Sequence, residues 1–452
     1  MNGFSDLTSG ERCVKLIEIP GIARGIHSAV TPQPTRPTSV KRRVVAFGAA
    51  LAFLSFLDRA AISQAAPAIA KDLHLNTVQM GLVFSSFGIT YALCEIPSGW
   101  LCDRFGARRL LTRVVVFWSL LTAATGLAWS YPSLVITRLL FGAGESGCFP
   151  GLARVFRTWL TPRERNRAEG IKAASARWGA AVTPALMAGL YSFLNWREVF
   201  VLFGAAGLVW GFLFYRWYRD RPADDAGSAP AQFDARFWKQ LAGSKTGWAL
   251  GIQWFCHYYG FYFYITWLPI YLYQARGLDL RHESFAAGAP LLTAGLGSLF
   301  AGWTFSGLAR RMNSVAGARK LMGYLAYGGA ALLLVLFTRI SNAALAVLVM
   351  SLSSFAAEFS GPITWTTAMD IGGERVGTVS GFMNMLGHFG GSVAPAVTGL
   401  LLAWTQNAWQ TAFLASAAIY AMGALCWIAI DPVTPIGESS RSQPGLGVPA
   451  DR

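Results

Sequence analysis

Charge is scarce in this chain. Only 13% of its 452 residues are Asp, Glu, Lys or Arg, where a soluble domain carries about 25%. So little polar surface cannot cover a soluble globule of this length. Cysteine is scarce too. The six, at positions 13, 94, 102, 148, 256 and 426, show neither paired nor metal-type spacing. Five lie in or beside apolar segments and read as small apolar fillers. That excludes a disulfide scaffold and a thiolate metal site, and we expect no metal and no cofactor. No nucleophile motif or phosphate-cradling glycine loop is visible. The first forty residues lack the apolar core of a cleavable signal peptide.

Apolar residues are abundant. They make up 54% of the chain, with 30 Phe, 17 Trp, 14 Tyr and 48 Gly, and the mean hydropathy is +0.40. Disordered chains have the opposite composition. Glycine and interfacial aromatics are favoured in membrane helices. The formal charge of +15 would suit a nucleic-acid binder, but the basic residues fall in short clusters between apolar stretches. The expected surroundings are therefore a lipid bilayer, with no nucleic acid. A span needs ~20 apolar residues, and twelve candidates are present: 43–64, 79–101, 110–129, 134–156, 169–193, 198–218, 246–272, 285–308, 318–338, 342–369, 376–403 and 408–430.

With the N-terminus in the cytoplasm, only Lys71, Arg197, Arg276, Arg281 and Arg339 fall in loops on the far side. This positive-inside bias predicts cytoplasmic termini and a multi-pass protein of the plasma membrane, the inner membrane in a Gram-negative cell. The predicted fold is all-α: twelve transmembrane helices in two six-helix pseudo-symmetric halves. The expected parts are a cytoplasmic tail (1–42), an N-terminal bundle (43–218), a cytoplasmic linker (219–245), a C-terminal bundle (246–430) and a second tail (431–452). Internal matches support the halves. Trp178-Gly179 through Pro184-Ala185 matches Phe389-Gly390 through Pro395-Ala396, and Trp196 and Phe200 match Trp409 and Phe413. Parallel repeats of this kind place a site near the midplane between the halves.

Ionisable groups at membrane depth are costly and mark function. The sequence places Asp58 and Arg59 in span 1, Arg138 and Glu145 in span 4, Arg177 in span 5 and Glu358 in span 10. Arg138 and Glu145 are seven apart, on one helix face but ~10 Å apart along the axis, so each needs a partner elsewhere. Pairing Asp58 with Arg138 and Arg59 with Glu145 would satisfy all four. Three arginines against two acids in the first half leave surplus positive charge for an anion. Arginine is well suited to carboxylates because its fork makes two parallel hydrogen bonds. Buried carboxyls exchange protons readily. Together these features describe proton-coupled uptake of an organic anion.

Five stretches carry a family resemblance: Phe56-Leu57-Asp58-Arg59-Ala60; Phe84-Ser85-Ser86-Phe87 through Tyr91-Ala92-Leu93-Cys94-Glu95-Ile96-Pro97-Ser98-Gly99-Trp100; Arg138 through Gly144-Glu145; Thr266-Trp267-Leu268-Pro269 with Tyr271-Leu272; and Ile363-Thr364-Trp365. The chain resembles the major facilitator superfamily over about 41–430. More narrowly it resembles the anion:cation symporter family, which includes bacterial hexuronate, galactonate and glucarate transporters. The resemblance implies that Asp58 and Glu145 form a protonatable pair, with Arg138 holding Asp58. It implies that Arg59 binds carboxylate beside Tyr91, that Asn384 is a polar site residue, and that Asp103, Arg104 and Arg108 form a gate. It implies a small organic anion and protons as partners, in a monomer.

Several positions depart from the family pattern. Arg177 stands where sugar-acid members commonly have Gln, and an extra cation favours a more highly charged ligand, a dicarboxylate or an aromatic acid, over a sugar monoacid. His388 is its repeat-equivalent in span 11, so the two could face each other. Glu358, at a usually neutral position, has Arg177, His388 or water as its candidate partners. Ser306 replaces the second gate Asp, which predicts a weaker gate in the second half. The aromatic-rich span 7 offers His257 and Tyr258 as ring-binding contacts. The competing readings are anion exchange, sodium coupling and, more remotely, a membrane sensor or enzyme.

Overall fold

The computed structural model describes residues 38–220, 234–268, 271–272, 280–406 and 408–437, and no strand occurs among them. The first half comprises α1 (Thr38–Asp72), α2 (Thr77–Phe105), α3 (Ala107–Gly126), α4 (Tyr131–Glu145), α5 (Cys148–Trp159), α6 (Pro162–Leu190) and α7 (Trp196–Trp217). A short α8 (Ala235–Ala242) follows. The second half comprises α9 (Lys245–Thr266), α10 (Leu280–Arg311), α11 (Val315–Phe337), α12 (Ala343–Glu358), α13 (Gly361–Gly372), α14 (Val376–Trp404) and α15 (Trp409–Ala429). The fold is all-α, with twelve spans in two six-helix halves. Spans 4 and 10 are each broken in two, at Ser146-Gly147 and at Phe359-Ser360.

Polar caps set the helix starts. Asn76, Ser130, Asn195, Ser244, Ser314 and Asn342 each accept from a backbone N–H of the first turn, satisfying donors that a helix leaves orphaned. Pro67, Pro97, Pro184 and Pro395 lie inside helices, as membrane helices permit when neighbours satisfy the backbone. Leu82, Leu93, Leu332 and Leu425 are exposed on the outside, and Trp129 and Trp404 are exposed at span ends, the places for lipid-facing and interfacial groups.

By length and composition alone, seven segments of the described residues could cross a membrane, one of them running through both spans 10 and 11. Spans 3, 4, 5 and 7 fall short. Span 4 is broken, and span 5 carries Glu169, Lys172 and Arg177. The spans that look least like membrane helices include those that build the site.

The halves repeat one packing scheme. In the first, α1 packs on α6, α2 on α4, and α3 on α7 and α4. In the second, α9 packs on α14, α10 on α12, and α11 on α15 and α12. The register repeats too. The Phe53 carbonyl abuts Gly179, and the Phe255 carbonyl abuts Gly390. The halves meet along α2–α14 and α6–α10. At the end bearing Arg104, Arg154 and Arg165, called here the basic end, this contact is tight. A Cβ on Gly99 would collide with the Gly377 carbonyl, and one on Gly381 would lie 2.6 Å from the Glu95 carbonyl. Farther along, a Cβ on Gly88 would find only Ser392 Oγ at 3.9 Å, and one on Gly81 would find nothing within 4 Å. The two helices therefore close at the basic end and diverge from it.

Gly99→Val is expected to lower the thermal unfolding midpoint, since overpacking costs ~1–3 kcal/mol. Gly81→Val is expected to leave the midpoint unchanged. Equal midpoints for the two variants in detergent would contradict the close approach.

Residues 219–245, expected to be a polar linker, contain α8. Its Phe237 and Leu241 are buried, and Asp234 at its N-terminus pairs with Arg375 at 2.8 Å. Residues 221–233 and most of both tails lie outside the described residues.

Candidate functional site

Glu145 ends α4 at the break in span 4 and is fully buried. Arg59 of α1 donates to it from Nε at 3.0 and 3.2 Å, and Ser55 donates from its hydroxyl. The Arg59 guanidinium lies 4.3 Å over the Tyr91 ring and within 6 Å of the Phe56, Phe87 and Phe149 rings. Its Nη2 is buried with no hydrogen-bond partner. One edge of the fork thus holds an acid while the other, boxed by aromatics, is unfilled. Such an edge has the donor geometry to take an anion's oxygens, in competition with Glu145.

The expected Asp58–Arg138 ion pair is absent. Asp58 points toward α3, where its Oδ2 accepts from Trp118 Nε1 at 3.0 Å and Thr122 Oγ1 at 3.4 Å. Arg138 lies 4.2 Å over the Phe141 ring, with Nε and Nη1 unpartnered. One residue of helix rotation separates Asp58 from Arg59 by about 100°, so Arg59 faces the interior while Asp58 faces the bundle wall.

Arg177 is not a spare cation. Its Nε and Nη2 lie 2.8 and 2.5 Å from Glu358 Oε1 across the interface between the halves. Ser298 donates to Glu358 Oε2 at 3.1 Å, and His257 Nε2 lies 3.4 Å from Oε1. His257 stacks on Trp254. His388 does not reach Glu358. It packs on Tyr91 and Tyr258, with Nε2 3.9 Å from Glu95 Oε1.

Glu95, inside a stretch that carries the resemblance, joins this buried cluster. It is fully buried in α2 and accepts from Asn384 Nδ2 across the halves, while Asn384 Oδ1 accepts from Trp254 Nε1 at 2.9 Å. The Tyr91 hydroxyl, Glu95 Oε2 and His388 Nε2 are buried without hydrogen-bond partners. α6 adds a buried Glu169–Lys172 ion pair, with Lys172 Nζ 4.1 Å over the Trp365 ring.

Adding Glu95 cancels the positive surplus expected of the first half, and Glu358 of the second half adds one acid more. Four buried acids (Asp58, Glu95, Glu145, Glu358) share the interior with three arginines (Arg59, Arg138, Arg177).

At the basic end, Asp103 of α2 bridges the halves. It accepts from Gly377 N at 2.8 Å, from Thr378 N and Oγ1 at 2.7 Å, and from Arg154 at 3.0 Å. Arg104 and Arg108, expected beside it, stay within the first half. Arg104 lies over Trp100 and Phe105, and Arg108 donates to the Tyr215 carbonyl. The second half contributes a link of its own at this end, away from Ser306. Its Asp370 accepts from Arg165 of the first half at 2.8 Å and also pairs with Arg319 at 2.5 Å.

Two packed six-helix halves, shut at one end around a buried ionic site, have the architecture of a membrane transporter. The sequence comparisons agree. The family model described as Major Facilitator Superfamily matches residues 48–395. A protein described as "Probable sulfoacetate transporter SauU" from Cupriavidus necator is 32% identical over 396 residues, covering 84% of this chain and 91% of that one. A hexuronate transporter from Bacillus subtilis is 30% identical over 389 residues, covering 83% and 91%. The crystal structure of the human organic anion transporter MFSD10 superposes with a TM-score of 0.70 at 18% identity, covering 87% of this chain and all of that one. The chain belongs to the Major Facilitator Superfamily. It is a multi-pass membrane transporter and not an enzyme.

Proposed function

We propose that the protein imports an organic anion together with protons. The charge count carries the reading. The interior already holds one acid more than its arginines can neutralise, and an entering anion adds further negative charge. Leaving such charge unpaired in a closed, water-poor site costs several kcal/mol. A carboxyl that takes up a proton removes that cost, so anion and proton enter together. Glu145 is the acid placed to do this, because it competes with the ligand for Arg59. Asp58 and Arg138 tune it from the bundle wall.

In this reading Arg59 grips the anion, with Tyr91, Asn384, His388, His257 and Tyr258 around it. Arg177 contributes once Glu358 releases it. Asp103 is the gate, and Arg104 and Arg108 brace the first half behind it. With the basic end in the cytoplasm, the conformation described is closed on the inner side, as a carrier that loads from outside the cell membrane requires. One chain holds the whole site, which suits a monomer. The relatives' names, sulfoacetate and hexuronate transporters, support an acid as cargo.

Proteoliposomes test the proposal with labelled sulfoacetate and glucuronate. An inward proton gradient is expected to drive accumulation of at least one of them. A gradient of sodium or of internal anion doing so instead would overturn proton coupling. Arg59→Gln is expected to weaken binding about 100-fold, the ~2.7 kcal/mol of a charge-assisted contact. Unchanged affinity would remove Arg59 as the anchor.

A further inference from the structure

We propose that Glu358 and Arg177 form a second acid–arginine unit, the counterpart of Glu145 and Arg59. It takes its own proton and so frees Arg177 for the far anionic group of a substrate carrying two. The inference rests on the anion–proton reading above and names the substrate class for that site.

The repeat carries it. Glu145 and Glu358 are 213 residues apart, the spacing that separates Trp196 from Trp409. Each glutamate is the last residue of its helix, at the break in span 4 or span 10. Each is buried and bound to an arginine of a neighbouring helix. The register that matches Phe53 with Phe255 matches Ser55 with His257, and these are the residues that touch Glu145 and Glu358 respectively. The glutamates are repeat-equivalent but the arginines are not: the register that matches Phe53 with Phe255 puts Phe261 at the place of Arg59, and His388 stands at the place of Arg177. Arg59 and Glu145 belong to the same half, whereas Arg177 and Glu358 belong to opposite halves, so release of the second pair also loosens a link between the halves.

Glu358 faces Arg177 from α6, His257 from α9, Ser298 from α10, Tyr327 from α11 and Tyr420 from α15. Arg177 is the full positive charge among them, and the imidazole of His257 is charged only when protonated. A proton on Glu358 leaves Arg177 without its anion. Arg177 lies 3.6 Å over the Phe261 ring and within 6 Å of the Phe56 ring, which also flanks Arg59. The two guanidinium groups therefore border one aromatic ring. A short molecule with an anionic group at each end, a dicarboxylate or a sulfonated carboxylate, would span them.

Calorimetric titration of the purified full-length protein, in two buffers of different ionisation heat, counts the protons taken up per ligand bound. The two-anion probe is sulfoacetate or glucarate, whichever the wild type accumulates, and the one-anion probe is glucuronate. Glu358→Gln is expected to take up one proton fewer than wild type with the two-anion probe. The Arg177→Gln/Glu358→Gln double variant leaves no unpaired charge, so it should keep its melting temperature. It is expected to lose about 30-fold in affinity for the two-anion probe and less than about threefold for glucuronate, the selective loss of one bidentate contact. An unchanged proton count in Glu358→Gln, an equal loss for both probes, or a wild type that handles only glucuronate would overturn the proposal. Failure of the broader reading shows separately, as wild-type protein that accumulates no probe with a proton gradient.

Discussion

Glu145→Gln is expected to abolish uphill accumulation of substrate while leaving counterflow exchange measurable. Glu145 is fully buried and its carboxylate is held by Arg59 Nε and the Ser55 hydroxyl. Glutamine keeps the shape and one acceptor oxygen, but it neither carries charge nor releases a proton. In the proposed cycle, the empty wild-type carrier closes because Glu145 neutralises Arg59. In the variant, Arg59 has no anion unless substrate is bound, and an unpaired buried cation costs several kcal/mol. The loaded carrier still crosses, so exchange of internal for external substrate continues. The empty return step does not, and net uptake stops. One proton per substrate and a gradient of one pH unit support about tenfold accumulation, ~1.4 kcal/mol. The variant's ratio is expected to fall to about one. Proteoliposomes preloaded with substrate, compared with empty ones under a proton gradient, separate the two modes. Accumulation retained by Glu145→Gln would take the proton off this residue.

The twelve spans, their two-fold repetition and the buried charges of spans 1, 4, 5 and 10 were legible in the sequence because each is a local property. Apolar runs, charge sign and repeat offset need no knowledge of packing. Partner choice needs it. Asp58 and Arg138 share a bundle, yet the rotation of α1 gives Asp58 to Trp118 and Thr122, and nothing in the linear pattern encodes that angle. Arg177 is one of the three candidate partners of Glu358, and the linear pattern does not choose among them because the pair is 181 residues apart and joins opposite halves. Two signals were present but unread. Glu95 is an acid within an apolar span, and the offset between Glu145 and Glu358 is the one that aligns the two halves. Asp370 at the basic end carries no such signal, since its link between the halves comes from the approach of Arg165, with Arg319 beside it.

The gate gives the second large effect. Asp103→Asn is expected to shift the protein away from the conformation closed at the basic end. The buried carboxylate accepts four hydrogen bonds, three from the first turn of α14 and one from Arg154. Negative charge at a helix N-terminus is favoured by the orphaned N–H groups and the helix dipole. An amide in its place presents donors to donors and leaves Arg154 without its ion pair. Breaking a buried pair costs about 3–5 kcal/mol. The bonds to α14 join opposite halves, so much of this cost falls on the closed state alone. A ~3 kcal/mol penalty changes the ratio of two states by more than 100-fold. Spin labels at the exposed Arg163 and Asn313, one in each half at this end, would read the change as a longer distance distribution. Arg154→Gln should move the distribution in the same direction. Arg104→Gln and Arg108→Gln should not move it, because the contacts given for their side chains among the described residues lie in the first half. A distribution that stays put in Asp103→Asn, or one that moves as far in Arg108→Gln, would assign the closure to other contacts at this end, such as Asp370 with Arg165.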